Sequence, residues 1–226
     1  MRELSTYAVR SGSVKLLLAQ IADKNTSSSE YGLAFYNLGQ ELAKVINSEF
    51  HLKDKSVQIA CSSEDADLLS NGLIKNLEAN NKFLAVFWNL RQTVPHTNEQ
   101  IAPIVQSYIE PGYAHVLIIC KSIIFTSCVV RTNLTNLIQE SAPNTIIIAA
   151  PVIFRGAENA LKNEFPKEIA DRFEFIFFAR DNEVNKNNEV VPGIGGSIYE
   201  RLGLGKSISK NKYMPDVVKQ RLAFVK

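Results

Sequence analysis

The chain has 226 residues, with 25 lysines and arginines against 23 aspartates and glutamates, a formal net charge of +2. So even a balance excludes a protein held to nucleic acid or membrane by bulk charge, and 46% hydrophobic with 21% charged residues excludes a disordered chain. A single α/β domain over residues 1–226 is an ordinary outcome at this length, and burying roughly 70–75% of the unfolded surface gives a core without metal or disulfide staples.

The opening MRELSTYAVR lacks the apolar core and cleavage site of a secretory signal. No apolar run reaches the ~18–20 residues of a membrane-spanning helix, so the expected location is the cytoplasm. Residues 14–22 read as a short apolar helix, broken by Asp23-Lys24-Asn25-Thr26-Ser27-Ser28-Ser29. A second helix follows over about 30–48, where Tyr31, Ala34, Phe35, Leu38, Leu42, Val45 and Ile46 recur at helical spacing. Five short apolar runs then read as strands: 57–61, 83–88, 116–120, 145–150 and 173–178. Helical patterns over 68–78, 129–140 and 157–165 lie among them. Continuously apolar strands alternating with helices predict a parallel five-stranded sheet flanked by helices, with an N-terminal helical segment. Ligands of such sheets lie at the carboxyl ends of the strands, which directs attention to the loops after Cys61, Trp88, Cys120, Ala150 and Phe178. The polar segment 92–112, with Pro95, Pro103 and Pro111, reads as a projecting arm or flap. Cys61, Cys120 and Cys128 lie in or beside apolar runs and read as buried thiols. His51, His96 and His115 show no metal-ligand spacing.

Several stretches carry a family resemblance. The segment Ile21-Ala22-Asp23-Lys24-Asn25-Thr26-Ser27-Ser28-Ser29-Glu30-Tyr31 resembles the N-terminal motif of uracil phosphoribosyltransferases. Val190-Val191-Pro192-Gly193-Ile194-Gly195-Gly196 resembles that family's base-binding loop, and Arg201-Leu202-Gly203 the arginine-x-x-glycine after it. Between these ends, Asn71-Gly72 and Ala149-Ala150-Pro151 stand where the family has matching short motifs, and residues 116–129 take the place of its phosphoribosyl-diphosphate signature. The likeness covers most of residues 14–205; the extension 206–226 has no counterpart. The resemblance implies a phosphoribosyltransferase-like fold, a homodimer or pairing with a related subunit, and joining of uracil to phosphoribosyl diphosphate to give UMP and diphosphate, with Mg²⁺ required only if the protein is active.

The positions that should carry this chemistry depart from the family pattern. The phosphate-loop equivalent runs Lys121-Ser122-Ile123-Ile124-Phe125-Thr126-Ser127-Cys128; Lys121 replaces an acid, and Ser127 and Cys128 replace two glycines. Glycines let backbone N–H groups approach a phosphate closely. Thr126 and a following helix leave two readings, a weak anion seat or a connecting turn. The diphosphate-loop equivalent is Glu64-Asp65-Ala66, followed by Asp67, where an arginine is expected. At ~4 Å and an effective dielectric of ~20, turning attraction into repulsion shifts the interaction by about twice 4 kcal/mol. Ala22 and Trp88 replace two further arginines and Gly196 an aspartate. The carboxylates Glu64, Asp65 and Asp67 read as a Mg²⁺ or acid–base group, or as a helix-capping acidic turn. The loop Val191-Pro192-Gly193-Ile194-Gly195-Gly196 reads as a seat for a base-like ligand or as a turn closing the sheet. Lys206, Lys210 and Lys212 near Tyr213 form a basic patch on the tail. The expectation is a uracil-phosphoribosyltransferase-like protein with a degenerate transferase site and no catalytic residue assigned. It would keep a uracil or uridine-nucleotide ligand or a regulatory role; an active transferase and a scaffold or nucleic-acid module are the competitors.

Overall fold

The computed structural model describes residues 1–97, 100–140, 142–205 and 212–223. The chain opens with β1 (Arg2–Leu4), α1 (Thr6–Arg10), α2 (Gly12–Ala22) and α3 (Ser28–Glu49). Ser27 starts α3 through a capping box with Glu30, which satisfies two otherwise unpaired amides. Next come β2 (Ser56–Ser62), α4 (Ser63–Asp65), a π-helical turn (Ala66–Ser70), α5 (Asn71–Asn76) and β3 (Asn81–Asn89). The middle of the chain holds β4 (Gln92–Thr93), β5 (Gln100–Ile101), β6 (Ile104–Ile109), β7 (Val116–Cys120), β8 (Ile123–Ile124) and α6 (Cys128–Glu140). The last third holds β9 (Thr145–Phe154), α7 (Ala157–Asn163), α8 (Lys167–Ala170), β10 (Phe173–Asp181), β11 (Glu183–Val184), β12 (Val190–Val191), α9 (Ile198–Arg201) and α10 (Asp216–Ala223).

The five predicted strands are β2, β3, β7, β9 and β10, and they pair in parallel in the order β10-β9-β7-β2-β3. The sheet is mixed, however, and larger than the parallel five-stranded expectation. β1 pairs antiparallel with β10 at one edge, β6 pairs antiparallel with β3 at the other, and β8 extends β9. The reason is legible afterwards. β1 is three residues long, and β6 exposes Val105, Gln106 and Ser107, so neither shows the apolar run that marks a buried strand. The segment expected as an arm therefore divides: β4 and β5 form a small hairpin, and 104–109 joins the sheet.

The pleat sends alternate residues to two cores. Ile59, Cys61, Leu84, Val86, Ile118 and Cys120 face α2, α3 and α5, whereas Ala60, Ala85, Phe87, Leu117 and Ile119 face α6 and α7. α3 and α5 cross at two glycines. A Cβ on Gly39 would lie 2.0 Å from the Leu69 carbonyl oxygen, and one on Gly72 would lie 2.1 Å from that of Tyr36. This close crossing explains the glycine of Asn71-Gly72 and fixes the helix that leads out of β2 toward the strand ends.

Candidate functional site

The carboxyl ends of β2 and β7, the loop after β3 and the glycine loop before α9 enclose a cleft of about 250 Å³. Glu64, Arg91, Lys121, Glu189, Gly196 and Tyr199 are among its lining residues. The β2 loop and the β7 loop, which carry the charge reversals, meet here.

Lys121 Nζ lies 2.5 Å from Asp65 Oδ2 and 3.1 Å from Glu64 Oε1. Glu64 Oε2 accepts a hydrogen bond of 2.8 Å from the Tyr199 hydroxyl, which lies 3.1 Å from Ser63 Oγ. Asp65 is 1% exposed and Lys121 6%, so these charges are paired away from water, with Asp65 Oδ1 left buried and without a hydrogen-bond partner. Burial alone would raise the Glu64 carboxyl, but Lys121 and hydrogen bonds outweigh it and hold the group below its usual range. Burial pushes Asp65 up, against the pull of Lys121 and with added repulsion from Glu64. Burial opposes the charge on Lys121, yet Asp65 and Glu64 prevail and raise its pKa. One ammonium faces two carboxylates, and the repulsion between these two adds to burial in raising Asp65. Burial, then Glu64, raises the Tyr199 phenol.

The phosphate-loop equivalent is drawn into the sheet. Lys121 N donates to the Ala149 carbonyl at 3.0 Å, Ile123 and Ile124 form β8 against Val152 and Ile153, and Phe125 packs edge-on against Phe154. Ser122 is buried, whereas Thr126 is exposed. At the start of α6, the Ser127 hydroxyl donates to Glu164 Oε1 at 3.3 Å and the Cys128 thiol to the Gln100 carbonyl at 3.2 Å. Cys128, Val129 and Ala102 form a small apolar cluster there, while Asn89 Nδ2 donates to the Ala102 carbonyl and to Asn133 Oδ1. β5 with the following Ala102, and the Glu164 carboxylate, thus crowd the helix start on which an anion seat would depend.

In the β2 loop, Ser63 to Asn76 runs as continuous helix through the π turn, and Ala66 is packed in the core. Asp67 turns away from the cleft. It accepts 2.9 Å hydrogen bonds from the Asp216 and Val217 amides and one of 2.5 Å from the Tyr213 hydroxyl. Trp88, at an expected arginine position, donates from Nε1 to the Tyr213 carbonyl at 2.7 Å. Two positions tied by resemblance to phosphate binding therefore hold the C-terminal segment. Of the basic tail patch, Lys212 is described; Lys206 and Lys210 lie outside the described residues.

The glycine loop is rigidly braced. Arg2 pairs with Asp181 and donates to the Gly193 carbonyl at 2.6 Å, Asp181 accepts from the Gly193 amide at 2.9 Å, and Tyr31 donates to the Ile194 carbonyl at 2.7 Å. Gly193, Gly195 and Gly196 have φ of 56°, 74° and 119°, and Val191-Pro192 is cis. Val191 points outward, Pro192 is half-buried, and Ile194 and Gly196 border the cleft. Arg201 donates to the Lys24 and Asp23 carbonyls at 2.5 and 2.7 Å and stacks on Tyr31 at 4.4 Å. The first and last stretches of the family resemblance are thereby joined in space.

Sequence reasoning missed Arg91, Glu189 and Tyr199. Arg91 stands three positions after Trp88, is exposed at the cleft, and makes no hydrogen bond or ion pair among the described residues. A search for a displaced arginine near Trp88 would have found it. Cys61 and Cys120 face each other across β2 and β7, and burial pushes the Cys120 thiol up to about 12. Among the described residues no three histidine, cysteine or acidic side chains group as metal ligands. The Mg²⁺ that an active transferase would use does not fit this donor set: Lys121 and Tyr199 engage both Glu64 oxygens, Lys121 engages Asp65 Oδ2, and the one oxygen left over, Asp65 Oδ1, is a single buried donor beside an ammonium. No helix among the described residues is long and apolar enough to cross a membrane.

No protein-family model and no curated protein matches the chain. Solved structures do. A hypothetical protein from Neisseria gonorrhoeae with bound ppGpp matches at TM-score 0.44 and 13% identity, over 67% of this chain and 82% of that one. A hypoxanthine phosphoribosyltransferase from Staphylococcus aureus matches at TM-score 0.41 and 13% identity, over 66% and 74%. The AQ2163 protein from Aquifex aeolicus matches at TM-score 0.67 and 13% identity, over 88% of this chain and 96% of that one. The chain shares its fold with that protein along nearly the whole length of both.

Proposed function

We propose that this is a phosphoribosyltransferase-like protein that does not carry out phosphoribosyl transfer and has kept the cleft for a small base-like ligand. The carrying observation is the buried Lys121–Glu64–Asp65 cluster, which joins the two loops that resemble the family's phosphate-binding loops. Charges engaged with each other are not available to a sugar bearing three phosphoryl groups. The cleft, at about 250 Å³, is at or below the roughly 300–1,000 Å³ of ordinary ligand sites. It suits a base or nucleoside better than a sugar polyphosphate. Ile194, Ile198 and Phe125 give it apolar walls, and Ser122, Asn188 and Glu189 give it hydrogen-bonding groups. Uracil or a uridine nucleotide is the ligand class that agrees with both the braced glycine loop and the sequence resemblance.

A second reading rests on Arg91. An exposed arginine at the cleft favours a ligand carrying a single phosphate, a nucleoside monophosphate rather than a free base. In either case the role is ligand sensing or regulation, as a homodimer or beside a related subunit, with no part for nucleic acid or membrane. The test is incubation with uracil, phosphoribosyl diphosphate and Mg²⁺ at high protein concentration. UMP remaining at the level of a protein-free control supports the proposal; turnover that scales with protein concentration contradicts it.

A further inference from the structure

We propose that the C-terminal segment 212–223 is a detachable strap, held chiefly by Asp67, that opens as a unit while the rest of the domain stays folded. Its attachment is compact. Asp67 accepts from the first amides of α10 and from the Tyr213 hydroxyl. Trp88 donates to the Tyr213 carbonyl, and Arg221 Nε pairs with Glu110 at 2.8 Å. The apolar part is Val217 and Val218, 6% and 1% exposed, with Met214 packed beside them.

A helix start has amides with no partner within the helix, and here a carboxylate from another part of the chain satisfies two of them. α10 has eight residues, below the ~12–15 at which an isolated helix is even marginal in water. It is therefore helical because it is docked, and undocking and melting are one event. Its few anchors place it at the low end of local stability, whereas β2 lies in the middle of the sheet, between β7 and β3.

Opening has a consequence for the site. Tyr213 lines a second, open cavity of about 310 Å³, together with Gly32, Leu68, Leu202, Leu204 and Asp67. Glu64 borders both this cavity and the cleft. Release of the strap thus removes the Tyr213 wall from a cavity that reaches the residue paired with Lys121. The strap rests on its own contacts and stands whether or not the cleft binds a base.

The test is hydrogen exchange on the full chain, with Trp88, the single tryptophan, as an optical reporter. The amides of α10 are expected to exchange at least about 100-fold faster than those of β2. Asp67→Asn keeps the shape but replaces one accepting oxygen by a donor. It should speed α10 exchange by a further factor of about 10 and make Trp88 more accessible to acrylamide, with β2 and β7 unchanged. Should that variant fail to fold, Tyr213→Phe removes one of the same hydrogen bonds and carries the same expectation with a smaller factor. Exchange of α10 and β2 at equal rates, or an equal acceleration of both by the substitution, overturns the proposal.

Discussion

Lys121 and Asp65, on loops that follow different strands, meet at 2.5 Å with the signs reversed from those the resemblance calls for at their loops. Two departures from the pattern of that resemblance therefore engage each other in one ion pair. Lys121→Met leaves Glu64 and Asp65 buried without their cation. We expect a loss of about 3–5 kcal/mol in urea unfolding, the usual cost of breaking a buried pair from one side. Replacing all three residues with neutral side chains of similar volume should recover most of it.

The pH dependence of that cluster follows from the directions of its shifts. Lys121 is raised in the folded state, so its stabilisation is fully present below its unfolded value near 10.5 and is lost as pH rises through its folded value. Glu64 is lowered, so its contribution is present above its unfolded value near 4.5 and is lost as pH falls through its folded value. Asp65 is raised and opposes Glu64 in acid. Unfolding midpoints of wild type and Lys121→Met, followed across pH, should differ most at neutral pH. The gap should narrow in acid, where the unpaired carboxylates of the variant take up protons.

Gly195 is the glycine whose substitution best separates scaffold from ligand site. Its φ is 74°, and a Cβ would lie 2.6 Å from the Ile21 carbonyl oxygen. Gly195→Ala should cost about 1–3 kcal/mol, read as a lower midpoint in chemical denaturation. Gly196→Ala has open space around its Cβ, so it meets only the backbone penalty and should lose less.

Arg91→Ala tests the displaced arginine. The side chain is exposed and unpaired among the described residues, so stability should change by no more than about 0.5 kcal/mol. Affinity for UMP, measured by thermal shift or titration, should fall about tenfold, the loss of one charge-assisted contact, while affinity for uracil stays the same.

Much of the fold is legible in the sequence because its buried strands are continuous apolar runs. Residues 116–120 match β7 end for end, and 57–61 and 83–88 fall inside β2 and β3. The edges were not legible: β1 is short, and β6 is half solvent-facing and flanked by Pro103 and Pro111. That Glu64 and Lys121 depart in sign from the pattern followed only from the family resemblance, and their meeting depends on β2 and β7 being neighbours. The link between Asp67, Trp88 and Tyr213 spans well over a hundred residues and leaves no local pattern. Arg91 carries no signal of its own because it lies past the end of β3, outside the apolar run 83–88.

Isothermal titration of the wild-type protein with phosphoribosyl diphosphate in the presence of Mg²⁺ reads directly whether the cleft accepts the sugar phosphate. No binding heat up to millimolar ligand is the predicted result, because Glu64, Asp65 and Lys121 are committed to one another. Saturable binding at micromolar concentrations, abolished by removing Mg²⁺, would contradict it.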